Sequence, residues 1–159
     1  MIIDLDETLI HTFFHPHPKA DFSLEIEIEG NLYQIHVKIR PGAINFLSRM
    51  SKIYEVVIFT ASMRSYGEPI VQRLEQMASA KFHKLYRQHC SYINRLFIKD
   101  LSKLGRPLKD CIIVDNNPDC YTFDVKNAIP IESWFEDESD RELENLAPIL
   151  EYLTNTDDV

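Results

Sequence analysis

Three short apolar runs, each closed by a polar residue, constrain the fold of this chain most. They read IIDLD from Ile2, VVIFT from Val56 and CIIVD from Cys111. Continuous β-branched runs of this length are typical of strands buried on both faces of a parallel sheet. Amphipathic patterns at 43–50 and 69–77 indicate helices on either side of the second run. We therefore predict a doubly wound α/β fold with a mainly parallel central sheet.

The length and composition of the chain indicate one globular domain. It has 159 residues, of which 45% are hydrophobic and 26% charged, so we expect a single domain over 1–159. The formal net charge of -8 argues against direct binding to a nucleic-acid backbone. No apolar stretch approaches the length of a membrane span, and no signal peptide is evident, so we expect no membrane segment in this chain.

The cysteine pattern bears on redox environment. Cys90, Cys111 and Cys120 are odd in number and lack CxxC spacing. This argues against a disulfide framework and against a zinc ribbon. The sequence therefore predicts a reducing compartment, which means a nuclear or cytoplasmic location.

Residues 22–39 break the alternation of strands and helices. They read FSLEIEIEGNLYQIHVKI, two alternating apolar and polar runs around Gly30-Asn31. Such a pattern predicts an antiparallel β-hairpin with one apolar face, inserted between the first strand and the first helix. With Gly30 and Asn31 as a two-residue turn, the expected pairs are Ile28 with Tyr33, Ile26 with Ile35, Leu24 with Val37 and Phe22 with Ile39.

The polar residues that close the apolar runs are expected to meet at one edge of the sheet. Ligands of open parallel sheets bind outside the carboxyl ends of the strands, near the point where strand order reverses. Carboxylate and amide oxygens there suit Mg²⁺, which prefers one or two carboxylates together with substrate phosphate. A cation is needed because carboxylates and a phosphate dianion in one pocket repel each other. The predicted metal ligands are Asp4, Asp6, Asp115 and Asn116.

The same residues support a phosphoryl-transfer hypothesis. The Asp4 carboxylate can attack phosphorus in line and form an aspartyl-phosphate, which water then hydrolyses. Asp6 can protonate the leaving oxygen and afterwards deprotonate the water. Thr60 offers a neutral hydrogen-bond donor to a phosphoryl oxygen, and Lys99 offers a compact positive charge.

Several longer motifs carry a resemblance to a known family. DLDET at 4–8 matches the DxDxT signature of the haloacid-dehalogenase superfamily. The chain also resembles the small phosphatases that act on the C-terminal domain of RNA polymerase II, through nearly its whole length. The similar stretches are RPG at 40–42, FTAS at 59–62, YRQHC at 86–90, IKDLSKLGR at 98–106, VDNNP at 114–118 and IPIESWF at 129–135.

This resemblance implies a Mg²⁺-dependent phosphoserine or phosphothreonine phosphatase. Asp4 would be the nucleophile and Asp6 the acid and base, while Thr60 and Lys99 match the phosphate-binding positions. The implied metal ligands are Asp4, the Asp6 backbone carbonyl and Asn116, with Asp115 beside them. One departure is the stretch Asn94-Arg95-Leu96-Phe97, where the family usually has a glycine, so we expect a different loop there.

The resemblance also implies an apolar pocket in the insert that receives a proline near the phosphoserine of a substrate. The matching positions are Phe14, Ile26, Ile28 and Ile35. The alternative is that the apolar face of the hairpin simply packs on the domain. Alternation by itself does not say what a sheet face covers, so both interpretations stay open.

The sequence leaves other interpretations open. TASM at 60–63, YRQHC and NAIPI also resemble the nuclear-envelope phosphatase that acts on lipin, and a non-catalytic binding module of the same fold is a third possibility. Glu7 is expected to carry outward-facing charge, and Thr8 to support the turn. Arg40 and Arg87 could each contact substrate or form structural ion pairs.

Overall fold

The computed structural model describes residues 1–156, which form three sheets and three α-helices. The strands are β1 (Ile2–Ile3), β2 (Ile10–Phe13), β3 (Phe22–Ile28), β4 (Asn31–Ile39), β5 (Val57–Phe59), β6 (His83–Leu85), β7 (Ser91–Ile93), β8 (Leu96–Ile98), β9 (Ile113–Asp115) and β10 (Ala128–Pro130). The helices are α1 (Ala43–Met50), α2 (Arg64–Ala78) and α3 (Glu142–Leu153).

The central sheet is parallel throughout and has the strand order β10-β9-β1-β5-β6. The chain leaves β1 toward β5 on one side and later returns to place β9 on the other side. Strand order therefore reverses at β1, which is the position where open α/β sheets bind ligands. The predicted fold class, with its mainly parallel central sheet, is confirmed.

Alternate side chains of the central strands pack on opposite faces of the sheet. Ile3, Ile58 and Val114 belong to the larger core, which also contains the buried hydrophobic side chains of α1, α2 and α3. Ile2 and Phe59 belong to a smaller core on the other face, beneath short 3-10 turns. Both faces are thus covered, as the uninterrupted apolar runs predict, and each fully buried side chain of this kind contributes about 1.5–3 kcal/mol.

The predicted hairpin forms, but its predicted register is wrong by two residues. Observed pairs include Ile26 with Tyr33 and Leu24 with Ile35. The two-residue turn is Glu29-Gly30 instead of Gly30-Asn31, and both turn residues have positive φ, 51° and 80°. A tight hairpin turn of this type needs positive φ at both positions, and here Glu29 adopts it at some cost. Because the shift is an even number, the same side chains stay on the same face.

The insert is a three-stranded sheet, since β2 joins the hairpin in the order β2-β4-β3. Its apolar face packs on the domain, where Ile26, Ile35 and Val37 are part of the larger core. The insert therefore begins at Ile10, only a few residues after the end of β1 and earlier than the predicted start at residue 22.

The β7–β8 hairpin lies where the sequence departs from the family pattern. Its turn residues Asn94 and Arg95 have φ of 52° and 69°. Two non-glycine residues thus occupy the left-handed region, which Asn tolerates better than Arg. The turn is therefore tight in spite of the missing glycine.

Arg40 fastens several segments together in the interior and is 1% exposed. Its guanidinium donates twice to Asp140, at 2.8 and 2.7 Å, and once each to the carbonyl oxygens of Thr8 and Glu132. The open question about Arg40 is thus answered in favour of a structural ion pair. Within residues 1–156, no helix is long and apolar enough to cross a membrane.

Candidate active site

The carboxyl ends of β1, β5 and β9 open into one cavity of about 260 Å³. Each contributes polar residues because its apolar run ends at the same edge of the sheet. The lining includes Asp4 and Asp6 after β1, Thr60 after β5, and Asp115 and Asn116 at the end of β9. These five sequence-predicted residues are therefore brought together.

Lys99 directly follows β8 and is completely buried beneath the cavity. Its ammonium group donates to Asp4 Oδ1 at 2.5 Å and to Asp115 Oδ2 at 2.6 Å. Burial favours loss of the proton, but the two carboxylates outweigh burial and raise the pKa of Lys99. The side chain is thus a fixed positive charge between the nucleophile candidate and the end of β9.

Asp6 lies in a different environment, surrounded by hydroxyl groups. Its carboxylate accepts hydrogen bonds from Thr60 Oγ1 at 3.2 Å, from Ser62 Oγ at 2.8 Å and from the Tyr66 hydroxyl. Burial and the negative charge of Asp4 raise the pKa of Asp6, and the three hydroxyl donors oppose that rise. Asp4 and Asp6 therefore have different neighbours, an ammonium group for the first and hydroxyl groups for the second.

Tyr66 connects this acid to the inserted sheet. Its hydroxyl oxygen lies 2.8 Å from Thr12 Oγ1 of β2, so one hydroxyl bridges Thr12 and Asp6. Burial and the Asp6 charge raise the pKa of Tyr66, which keeps the hydroxyl protonated. Sequence reasoning missed Tyr66 and Ser62, although Ser62 stands in the FTAS stretch and Tyr66 only four residues later.

Asp115 and Asn116 complete the cavity on the β9 side. Burial and the Asp4 charge raise the pKa of Asp115 to about 6. Asn116 accepts a hydrogen bond from Thr8 Oγ1 at 3.2 Å and donates to Ser133 Oγ at 2.9 Å. The sequence predicted that Thr8 supports its own turn. Instead, its hydroxyl orients the Asn116 amide across the cavity.

The donor set fits a hard divalent cation. Asp4, Asp6 and Asp115 line the cavity, and the buried Lys99 ammonium pairs with Asp4 and Asp115, so the cavity carries an excess of negative charge that a cation would offset. Among residues 1–156, no three His, Cys, Asp or Glu side chains form a ready metal cluster. Mg²⁺ suits such a site because it takes few carboxylates and completes its shell with amide or carbonyl oxygens, water and phosphate.

Comparison with known proteins agrees with this geometry. A model of the NLI interacting factor-like phosphatases matches residues 1–159. The chain belongs to this family. Over 159 residues it is 44% identical to the mouse protein named carboxy-terminal domain RNA polymerase II polypeptide A small phosphatase 2, and 44% identical to Phosphatase Herzog of Drosophila melanogaster. The resemblance inferred from the motifs is confirmed.

The alignments cover the whole of this chain but 58% of the mouse relative and 45% of the fly relative. The chain thus spans about half the length of the curated relatives that it matches. A solved structure of Fcp1, described as an essential RNA polymerase II CTD phosphatase, superposes with a TM-score of 0.78 at 17% identity. That match covers 96% of this chain and 61% of the other, and at this identity it shows the fold alone.

Glu7 differs from the expectation for an outward-facing charge. It is half-buried, lines the cavity and has a φ of 56°. Burial and the Asp6 charge raise its pKa, and its carboxylate lies 3.1 Å from His11 Nδ1. The chain therefore turns sharply after Asp6. This member of the NLI interacting factor-like phosphatase family thus has a third acid at the rim of the cavity.

The four residues expected to form an apolar pocket occupy unequal positions. Ile26 and Ile35 are 3% and 0% exposed within the core, and Ile28 is half-buried. Phe14 is 58% exposed, and its ring meets that of Tyr33 at 6.2 Å. The buried pair thus packs on the domain, while Phe14 and Ile28 are the more accessible two of these four residues.

Arg87 borders the cavity and forms no ion pair with any described residue. Its Nε donates to the Ala61 carbonyl at 2.7 Å, and its guanidinium lies 4.9 Å from the centre of the Phe97 ring. Of the two interpretations left open for Arg87, the structural ion pair is excluded within residues 1–156.

Proposed function

We propose that this chain is a Mg²⁺-dependent protein serine/threonine phosphatase that acts through an aspartyl-phosphate on Asp4. The observation that carries the proposal is that two neighbouring acids, Asp4 and Asp6, have different hydrogen-bond partners. Asp4 is held by the Lys99 ammonium, whereas Asp6 is half-buried among hydroxyls and has a raised pKa. One acid is thereby suited to attack and the other to hold a proton.

In the first step, a carboxylate oxygen of Asp4 forms a bond to phosphorus as the bond from phosphorus to the seryl oxygen breaks. Asp6 gives its proton to that leaving oxygen, so the product is the free serine hydroxyl. In the second step, Asp6 takes a proton from water while the water oxygen attacks phosphorus. Inorganic phosphate leaves, and Asp4 returns to its carboxylate form.

Residues around the two acids position the phosphate. Lys99 holds one oxygen of Asp4, which leaves the other oxygen for attack, and its charge also stabilises the phosphoryl group. The Thr60 hydroxyl donates to Asp6 and accepts from the backbone N–H of Ser62, which holds it beside the site; its single proton would turn to a phosphoryl oxygen when substrate binds. Asp4, Asp115, Asn116 and the Asp6 backbone carbonyl would hold a bound Mg²⁺, which would offset the negative charge that carboxylates and phosphate bring together.

The proposed substrate is phosphoserine in the C-terminal repeats of RNA polymerase II. This rests on the names of the relatives that share 42–44% identity with the chain. Phe14 and Ile28, beside the core residues Ile26 and Ile35, remain our proposed contact for a proline near the phosphoserine. The proposed location is nuclear or cytoplasmic.

Activity on a phosphoserine peptide with and without Mg²⁺ tests the chemistry. We expect Asp4→Asn to lower kcat by roughly a thousandfold or more, because the nucleophile is lost. EDTA should abolish turnover in the wild type, and circular dichroism should show that Asp4→Asn stays folded. Comparable activity in Asp4→Asn and wild type contradicts the aspartyl-phosphate.

The proline contact needs a separate experiment on an exposed residue. Phe14→Ala is suitable because the ring is largely outside the core. The ratio of kcat/KM for phosphoserine peptides with and without the adjacent proline should fall toward one in this variant. Leu32→Ala, another exposed residue of the insert, is the control. An unchanged ratio in Phe14→Ala counts against the pocket.

A further inference from the structure

A second cavity, of about 480 Å³, adjoins the catalytic cavity. The two share Arg87 and Phe97 in their linings, so the second is a continuation of the first along the protein surface. We refer to it as the flanking groove. It is lined by Met63, Arg64, Arg87, Gln88, Cys90, Tyr92 and Phe97.

The charge of the flanking groove is opposite to that of its neighbour. Its lining contains two guanidinium groups and no carboxylate, although the chain has 25 acidic and 17 basic residues. The catalytic cavity, in contrast, is lined by four acids. A negatively charged group that lies outside the catalytic cavity is therefore attracted to the positively charged groove beside it.

Arg87 is held rigidly at the boundary between the two cavities. Its backbone N–H donates to the Ser62 carbonyl at 3.0 Å, its Nε donates to Ala61, and its guanidinium stacks on Phe97. Its two terminal nitrogens have no acceptor within residues 1–156. Fixed on one edge, the guanidinium keeps its other donors available to a ligand.

Arg64 forms the second basic wall, at the first residue of α2. Its Nε donates to Glu68 at 3.0 Å, and the guanidinium lies 5.9 Å from the centre of the Tyr86 ring. Glu68 also accepts from Tyr86 and Lys84, so its charge is shared among several donors. Within residues 1–156, the terminal nitrogens of Arg64 donate to no acceptor, and Arg64 lines the groove.

We propose that the flanking groove binds a second phosphorylated residue of the same substrate segment, a few residues from the one being hydrolysed. Guanidinium groups bind phosphate through paired hydrogen bonds, which makes two arginines a better match for phosphate than for a neutral side chain. The exposed ring of Tyr92 and the ring of Phe97 provide an apolar floor for the intervening peptide. This inference rests on the proposed phosphatase function and adds a substrate preference to it.

The experiment compares peptides that share one target phosphoserine and differ at a single flanking position. That position carries serine, glutamate or phosphoserine and is moved from two to four residues on either side of the target. We expect kcat/KM to rise roughly fivefold to twentyfold for the doubly phosphorylated peptide on one side only, and less for glutamate. The gain should shrink as salt increases.

Arginine variants then locate the effect. Arg87→Ala and Arg64→Ala should each bring the ratio between doubly and singly phosphorylated peptides toward one, while Arg87→Lys keeps only part of the gain. Arg73→Ala is the matched control, since Arg73 is on the same helix but pairs with Gln76 outside the groove. The control should leave both rates and their ratio unchanged.

The outcomes separate the two proposals. Equal kcat/KM for singly and doubly phosphorylated peptides, with both hydrolysed, overturns the flanking groove alone. A loss in Arg87→Ala that is equal for both peptides also overturns it, because the arginine then acts on the target residue itself. Hydrolysis of neither peptide overturns the phosphatase function, and the second subsite with it.

Discussion

Asp4 and Asp6 are two residues apart, yet they have different neighbours. One faces an ammonium group and the other three hydroxyls, so the same side-chain type is set up for two tasks. The hydroxyls around Asp6 come from the loop after β5 and from α2. The behaviour of the acid therefore depends on residues far away in sequence.

Removing the Tyr66 hydroxyl tests whether these donors position the acid. In Tyr66→Phe we expect kcat/KM on a phosphoserine peptide to fall about tenfold, a part of the usual acid–base contribution. The loss should be smaller on para-nitrophenyl phosphate, whose leaving group needs little protonation. Tyr54→Phe, which removes a hydroxyl bonded to Leu150 away from the cavity, is the control. Equal losses on both substrates would indicate a purely structural role for Tyr66.

The raised pKa of Asp6 predicts a pH profile of definite sign. Asp6 must be protonated to act as acid, and burial together with the Asp4 charge extends its protonated form to higher pH. At saturating Mg²⁺, kcat/KM on a phosphoserine peptide should fall as pH rises through that pKa. A rate that climbs steadily from about pH 5 to about pH 8 is incompatible with Asp6 as the acid.

At the scale of elements, tight turns decide how the β-hairpins are built. The β3–β4 turn places Glu29 at positive φ, and the β7–β8 turn places both Asn94 and Arg95 there. Each non-glycine residue in that region carries strain, which the strand pairing on either side must offset.

Arg95→Gly should relieve strain in the β7–β8 turn. We expect the free energy of unfolding to rise by about 0.5–1 kcal/mol, since the left-handed cost removed exceeds the added chain entropy. Arg95→Ala removes the same side chain but keeps the strain, so it should change stability little. Urea denaturation of the three proteins measures the difference, and equal gains in both variants would point to the side chain instead of the backbone.

The elements differ in how much the sequence reveals about them. The buried runs that became β1, β5 and β9 and the helix α1 are evident because their patterns are local and uninterrupted. The β3–β4 register could not be predicted, because Glu29 carries no turn signal and adopts positive φ only under the constraint of the paired strands. Tyr66 escaped notice for a related reason, since only the packing of α2 brings it to Asp6.

At the scale of the whole molecule, Arg40 joins the start of α1, the loop after β1 and the segment before α3. All of its contacts are internal, and its partner Asp140 precedes the last helix. The Arg40 side chain therefore links the stability of three segments that do not pair with one another in a sheet.

Arg40→Met should destabilise the protein by about 3–5 kcal/mol, because Asp140 and two carbonyl oxygens lose their donor. Arg49→Met offers a comparison within the same fold. Arg49 pairs with Glu151 at the surface, so its loss should cost about 1 kcal/mol or less. Thermal unfolding of both variants distinguishes the buried pair from the exposed one, and similar small losses would mean that Arg40 is dispensable.

The place of β1 in the middle of the central sheet has a consequence for synthesis of the chain. Ile2 pairs with Val57 on one side and with Ile113 on the other, so a nascent chain that has not yet reached Ile113 leaves one edge of β1 open. Contacts of such long range form slowly, and the open edge is exposed meanwhile. Asp4 is thus translated long before the strand that encloses it, and the site can assemble only after Asp115 and Asn116 have been synthesised.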